Sequence, residues 1–315
     1  MRLAILGAGD VGRSVADLAG EYGHEVVALA DSTNAVIDDD GIDVEGALQR
    51  KRSGEPVGVD DPDDVFEGEY DVLVEATPTT LGDAEPGFSH VERALEADRH
   101  VVLANKGPVA ERYDELRALE DESAGSIRFE ATVGGAIPVL STIEDETPQA
   151  VTAVRGVLNG TANFILTRMA AEGLDYDHVL AEAQDLGVAE ADPTFDVDGT
   201  DAALKFVILA NVLSDGGFAL EDADVEGIQN IPGSALNLAA EDGRTIRLIG
   251  EATREGVRVA PRLVPQNGPL AVTGTRNIVQ IETRHAGSLH SSGRGAGGPE
   301  TATAVLSDVS RLADR

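Results

Sequence analysis

The chain opens with a short apolar strand that runs straight into a glycine loop. Arg2 to Leu6 leads to Gly7-Ala8-Gly9-Asp10-Val11-Gly12, a G-x-G-x-x-G. Val11, Val15, Leu18 and Ala19 then follow at helical spacing. Glu25 to Ala30 reads as a second strand and ends at Asp31, nineteen residues after Gly12. In such a unit the first glycine permits a tight turn and the second lets backbone approach a pyrophosphate. The third lets the helix pack on the strand, and the acid can hold a ribose hydroxyl. A glycine-rich turn without nucleotide would need none of these parts in this order. Gly7, Gly9, Asp10, Val11, Gly12 and Asp31 are therefore the expected dinucleotide-binding residues.

The alternation continues. Asp71 to Ala76 reads as a strand ending in Thr77-Pro78, Val91 and Leu95 mark a helix, and His100 to Leu103 is a strand ending at Asn105-Lys106. A helix over Arg112 to Glu122 and a strand over Ile127 to Ala131 complete the run. Strands alternating with helices predict an α/β fold with a doubly wound parallel sheet of Rossmann type. Ligands bind outside the carboxyl ends of such strands, so Thr77, Asn105, Lys106 and Glu130 are expected to converge on one crevice. Asp31 favours NAD, because a carboxylate repels a 2′-phosphate. Arg50-Lys51-Arg52 is a basic cluster that reads either as a phosphate site or as a solvated loop, so both NAD and NADP stay open.

Composition narrows the function classes. The net charge is −33, with 57 acidic residues spread along the chain rather than gathered in a tail. Periodic runs within 42% apolar residues argue for a packed core rather than disorder. Such a surface suits high salt, which screens self-repulsion, and this predicts a halophile's cytoplasm. It argues against nucleic acid and anionic membranes as partners. There is no cysteine, hence no disulfide and no thiolate metal site. The N-terminal apolar run is too short for a signal peptide, and no segment approaches a membrane span. The chain has only three lysines, Lys51, Lys106 and Lys205. Lysine is the cation whose proton affinity falls most readily on burial, which makes each of the three a candidate for proton transfer.

The second half carries denser chemistry. Glu130 to Pro138 places a carboxylate beside Gly134 and Gly135, which leaves a hard-cation site and a plain tight turn both open. A strand ends in Asn159-Gly160-Thr161 where a helix starts. Its free N–H groups favour an anion such as a substrate carboxylate, or Thr161 is an ordinary helix cap. Ala189 to Lys205 is a loop of carboxylates followed by a helix. Asp201 and Lys205 stand at i and i+4 on one face of it, among apolar neighbours.

These residues resemble homoserine dehydrogenases: Gly7 to Gly12, Asn105-Lys106, Glu130 to Pro138, Asn159-Gly160-Thr161, and above all Glu190-x-Asp192-Pro193 through Gly199-x-Asp201-x-x-x-Lys205. Gly293-Arg294-Gly295-Ala296-Gly297-Gly298 is similar to the family's terminal glycine loop, although Glu300 intrudes before the expected Thr301. The resemblance implies interconversion of L-homoserine and L-aspartate 4-semialdehyde with NAD or NADP. It implies Lys205 and Lys106 as proton-transfer residues and Asp201 as the acid that positions the lysine. Glu190, Asp196, Gly160 and Thr161 would bind substrate. Thr77, Asn105 and Gly295 would join the cofactor site. Glu130 and the carbonyls of Val133, Gly135 and Ile137 would hold a monovalent cation, Na⁺ or K⁺. It also implies a homodimer, and a short form without a C-terminal regulatory domain.

The expected domains are 1–133 for the dinucleotide and 134–298, an α+β domain, for substrate and dimerisation, with a helix over about 299–315 returning to the first. Thr245 to Thr253 and Val257 to Val264 predict a hairpin through Glu255-Gly256; Pro269 to Thr273 and Asn277 to Thr283 predict further strands. Two other readings stand beside the first. One is a different amino-acid or semialdehyde dehydrogenase of the same plan. The other is a dinucleotide-sensing binding protein without turnover, against which Lys106, Lys205, Asp201 and Glu190 together argue.

Overall fold

The computed structural model describes residues 1–313. They form two compact units, residues 1–136 with 296 onward, and residues 137–295. The first unit runs β1 (Arg2–Leu6), α1 (Asp10–Leu18), β2 (Glu25–Ala30), β3 (Ala35–Ile37), α2 (Val44–Arg52) and β4 (Val72–Glu75). It continues with α3 (Gly87–Glu96), β5 (His100–Leu103), α4 (Lys106–Glu111), α5 (Tyr113–Glu122) and β6 (Ile127–Arg128).

The sheet order is β3-β2-β1-β4-β5-β6, parallel throughout except for β3 against β2. β1, β2, β4 and β5 are almost continuously buried, as strands covered on both faces must be. The doubly wound parallel sheet is thus present, with one antiparallel edge strand. Only residues 31–34 join β2 to β3, and a parallel return needs a dozen residues or more. Strand order reverses between β1 and β4, so their carboxyl ends frame the switch point where ligands enter.

Three local expectations are corrected. The helix anticipated from Arg112 begins at Tyr113, and a separate α4 precedes it, because the Asn105 side chain caps a new helix by accepting from Gly107 N–H at 3.0 Å. The strand anticipated over Ile127 to Ala131 is only two residues long, since Glu130–Thr132 coil into a 3₁₀ turn. Arg50, Lys51 and Arg52 are not a loop: they form the last turn of α2, where positive charge suits the helix dipole.

The second unit contains α6 (Leu140–Glu146), β7 (Val151–Val157), α7 (Gly160–Glu172), α8 (Tyr176–Asp185), α9 (Thr194–Val197) and α10 (Thr200–Ser214). β8 (Ala223–Val225), α11 (Gly233–Glu241), β9 (Arg244–Ala252), β10 (Val257–Pro265), β11 (Arg276–Thr283) and β12 (Gly287–Arg294) follow. Its sheet order is β12-β11-β7-β9-β10-β8, antiparallel except for β8 beside β10. β9 and β10 are the expected hairpin.

Pro269 to Thr273 is not a strand. The Val272 carbonyl accepts from Arg247 Nε at 2.8 Å and Asn163 Nδ2 at 3.3 Å, so side chains take its hydrogen bonding in place of a ladder. Arg247 is buried with only neutral partners, and that burial pushes its guanidinium down to about 10. β12 went unforeseen because glycine, serine and histidine dominate it, without the β-branched residues that mark strands. α10 is apolar nearly all round and is an interior helix. The Phe206 ring on α10 presses so closely on Gly250 of β9 that a Cβ there would lie 1.9 Å from it.

The last helix, α12 (Gly298–Ala313), belongs to the first unit and packs on α1. Val305, Val309 and Leu312 enter a core shared with Leu3, Val15, Val26 and Leu29.

Candidate active site

At the switch point lies a cavity of about 950 Å³, lined by the glycine loop, by Asp31, Ser32 and Lys51, and by Ala76 to Thr80 with His90 and Lys106. The loop is a steric device. Gly7 has φ +106, and a Cβ on it would lie 2.4 Å from the Ala76 carbonyl oxygen. A Cβ on Gly12 would lie 1.8 Å from the Gly7 carbonyl oxygen, so both positions exclude a side chain. Gly9 differs: nothing lies within 4 Å of its missing Cβ, and it faces the open cavity. No side chain caps α1, so its first N–H groups are presented beside Gly9, as an anion site requires. These features fit a dinucleotide pyrophosphate.

Asp31 and Lys51 sit together on the cavity wall. The Lys51 ammonium pairs with Asp31 Oδ2, while Oδ1 accepts from Thr33 N–H at 2.9 Å and Asn34 N–H at 3.0 Å. Burial opposes the charged form of Asp31, but Lys51 and the Thr33 and Asn34 donors outweigh it and hold the carboxyl well below the usual range. Of the basic cluster only Lys51 lines this cavity: Arg50 donates to the Val57 carbonyl at 2.8 Å, and Arg52 borders a separate recess near Asp10.

Two residues at the cavity went unremarked in the sequence pattern: His90, which lines it, and Glu75, buried behind its lining. Glu75 at the end of β4 is fully buried. Its Oε1 accepts from Thr77 N–H at 3.0 Å, from the Thr77 hydroxyl and from Asn105 Nδ2 at 3.3 Å. Its Oε2 lies 2.6 Å from His90 Nδ1. Thr77 and Lys106 line the cavity, while Asn105 lies beneath it, only 1% exposed. Glu130 does not join them. β6 is the edge strand, and the turn beyond it is buried, with Glu130 N–H donating to Asp308 Oδ2 on α12 at 2.8 Å. Burial pushes the Asp308 carboxyl up to about 6, against the Glu130 N–H and helped by the Glu130 charge.

In the second unit Lys205 and Asp201 are both 8% exposed. Lys205 Nζ donates to Asp201 Oδ2 at 2.6 Å and to the Leu158 carbonyl at 2.7 Å, which uses two of the three N–H groups of an ammonium. Asn159 ties the cluster together: its Nδ2 donates to Asp196 Oδ1 at 2.7 Å and Asp201 Oδ2 at 2.9 Å. Its Oδ1 caps α7 by accepting from Ala162 N–H at 2.8 Å, so Asn159 and not Thr161 is the cap. The Thr161 hydroxyl instead donates to the Val188 carbonyl at 3.1 Å. The Gly160 and Thr161 N–H groups remain at the helix start. Glu190 stands outside the cluster, exposed, with its backbone carbonyl accepting from Gln184 at 3.1 Å. Gly295 lies beyond β12, where a Cβ would strike Asn277.

Among the described residues no group of three or more His, Asp or Glu is placed to hold a metal, and no helix is long and apolar enough to cross a membrane. The donors in the Glu130 to Ile137 segment are one carboxylate and several carbonyls. All are hard oxygens suited to a monovalent cation, and Gly135, at φ +56, turns the chain there.

A Rossmann-type sheet with an uncapped glycine loop, in one chain with a buried lysine–carboxylate pair, defines a dinucleotide-dependent dehydrogenase. The family model for homoserine dehydrogenase matches residues 138–310, and that for glutamate/leucine/phenylalanine/valine dehydrogenase matches residues 1–78. The homoserine dehydrogenase of Methanocaldococcus jannaschii is 39% identical, over 98% of this chain and 97% of that protein. A putative homoserine dehydrogenase from Archaeoglobus fulgidus superposes with a TM-score of 0.92, is 40% identical and covers 99% of both chains. A hyperthermophilic archaeal homoserine dehydrogenase in complex with NADPH gives a TM-score of 0.85 at 29% identity, over 99% of this chain and 97% of that one. The chain belongs to the homoserine dehydrogenase family.

Proposed function

We infer that the chain interconverts L-homoserine and L-aspartate 4-semialdehyde with NAD or NADP. The observation that carries the residue roles is the buried Lys205–Asp201 pair. A dinucleotide held in this cavity would supply the hydride chemistry between the hydroxyl-bearing carbon of homoserine and the aldehyde. The chain moves the proton. In the reducing direction the Lys205 ammonium donates its third N–H to the aldehyde oxygen as that oxygen gains charge. In the oxidising direction neutral Lys205 accepts the hydroxyl proton. Asp201 and the Leu158 carbonyl hold Nζ in place through both directions. Asp196 and Glu190 pair with the substrate ammonium, and Gly160 and Thr161 take its carboxylate at the open end of α7. Lys106, on the dinucleotide cavity, serves as the second proton-transfer lysine.

In the first unit, Gly7, Gly9, Asp10, Val11 and Gly12 seat the pyrophosphate, Asp31 the adenosine ribose, and Thr77 and Asn105 the far end; Gly295, at the end of the second unit, is the cofactor residue that only the family pattern supports. Glu130 with the carbonyls of Val133, Gly135 and Ile137 holds Na⁺ or K⁺, whose charge would order that segment. The protein works as a homodimer in the cytoplasm of a halophile. The last point rests on the net charge of −33.

The test is reduction of aspartate semialdehyde with NADH and NADPH side by side in molar KCl. Turnover with NADH is expected. Turnover with NADPH alone would overturn the Asp31 argument and make Lys51 the phosphate contact. Loss of activity and stability in low-salt buffer is expected from unscreened repulsion, because the Debye length grows from about 3 Å at 1 M to about 10 Å at 0.1 M. Full stability there would remove the halophile reading. Replacing K⁺ by a bulky cation at constant ionic strength separates the cation site from screening.

A further inference from the structure

Glu75 occupies an expensive position. It ends β4 after Val72, Leu73 and Val74, is 0% exposed, and has His90 Nδ1 at 2.6 Å from its Oε2. An isolated buried carboxylate costs several kcal/mol, and an apolar residue of similar size would usually serve stability as well or better. Here both oxygens are engaged, and their partners stand in or just beneath the wall of the dinucleotide cavity. Thr77 gives its N–H and hydroxyl, Asn105 gives its amide, and His90 reaches in from α3. Asn105 also donates to the Thr77 hydroxyl at 3.2 Å and caps α4, whose first residue is Lys106. α3 leaves no slack: a Cβ on its first residue, Gly87, would lie 2.5 Å from Asn105 Nδ2.

We propose that Glu75, held by His90, is a positioning residue for dinucleotide binding: it orients Thr77, Asn105 and, through the α4 cap, Lys106, without touching the dinucleotide. The proposal rests on the cavity being the dinucleotide site. A carboxylate can accept from all four donors at once, whereas an amide must turn an N–H toward some of them. Glu75→Gln therefore disturbs this network with almost no change in volume. His90, itself on the cavity wall, fixes Oε2 through its Nδ1, which leaves Oε1 aimed at Thr77 and Asn105.

The experiment uses the full chain in molar KCl, with NADH and NADPH binding followed by calorimetry, melting temperature in parallel, and KM and kcat read separately. In Glu75→Gln and His90→Ala, the Kd and KM for dinucleotide are expected to rise about tenfold, the effect of leaving one buried polar group poorly paired. The KM for homoserine should move little. His90→Asn places an amide N–H where Nδ1 stood and should restore most of the binding, which a packing role alone would not give. If Glu75→Gln fails to fold, the two His90 variants decide. A wild-type Kd in His90→Ala, with or without a lower melting temperature, overturns the proposal. Failure of the wild-type chain to bind either dinucleotide overturns the reading of the cavity itself, and the proposal with it.

Discussion

The two units hold their reactive groups by opposite means. In the first, the glycine loop presents backbone: Gly7 and Gly12 exclude side chains by contact with carbonyl oxygens, and the N-terminus of α1 is left uncapped. In the second, side chains do the holding. Asn159 bridges two carboxylates, Asp201 and Leu158 take two of the three Lys205 protons, and every bond is specific to one functional group. A site made of backbone tolerates changes of charge and fails on added volume. A site made of side-chain bonds tolerates little change of chemistry even at constant volume.

The contrast breaks most visibly at Lys205. Lys205→Ala should lower kcat by roughly 10²-fold or more while the protein stays folded, since a positioned acid or base typically contributes that much. Lys205→Arg should not rescue it, because guanidinium remains protonated and cannot accept a proton. Steady-state rates with a melting curve decide; near-normal kcat would remove Lys205 from the mechanism.

Next in size are the glycines. Gly12→Ala forces a Cβ against the Gly7 carbonyl and should cost about 1–3 kcal/mol of stability, in the range of overpacked cores. Gly9→Ala should leave stability almost unchanged, since space there is open, and should instead weaken dinucleotide binding. Denaturant midpoints and calorimetry on the pair sharpen the argument, and equal effects on both readouts would contradict it.

Asn159→Asp keeps volume and shape but sets a third carboxylate against Asp196 and Asp201. The expected loss is about tenfold in kcat/KM for homoserine, with dinucleotide Kd unchanged, because the disturbed bonds hold Asp201 and through it Lys205. An equal loss in dinucleotide affinity would mean that the second unit's cluster does not act separately.

A last prediction touches stability alone and leaves turnover unchanged: it concerns Asp308, where burial raises the carboxyl to about 6. A raised acid keeps its proton in the folded chain between pH 4 and 6 while the unfolded chain has lost it. Stability attributable to this residue is therefore present below about pH 4 and falls as pH rises to about 6. The drop is about 3 kcal/mol at most for a shift of this size. Asp308→Asn should flatten that slope relative to wild type in denaturant titrations at pH 4.5 and 7. An unchanged difference between the two pH values would rule the residue out as its source.

Much of the first unit was legible in order along the chain. Glycine spacing, strand, helix and terminal acid are local patterns, and a parallel strand buried on both faces announces itself as an apolar run. The elements that escaped are those without such a signature: β12, rich in glycine and serine, α2, with only Ala47 and Leu48 buried, and the short α4 that Asn105 starts. Asp201 and Lys205 could be paired from an i, i+4 spacing alone, because a helix makes that neighbourhood local. Glu75 and His90 could not. They are fifteen residues apart on different elements, and a single glutamate or histidine in a chain with 57 acidic residues carries no signal until folding buries it. The same holds for Asp31. The sequence placed it after the second strand, as a ribose acid should be placed, but only packing of α2 against the cavity brought Lys51 to its carboxylate. Local pattern decides where backbone goes; which charge meets which is set by distances across the sheet, and those exist only once the chain has folded.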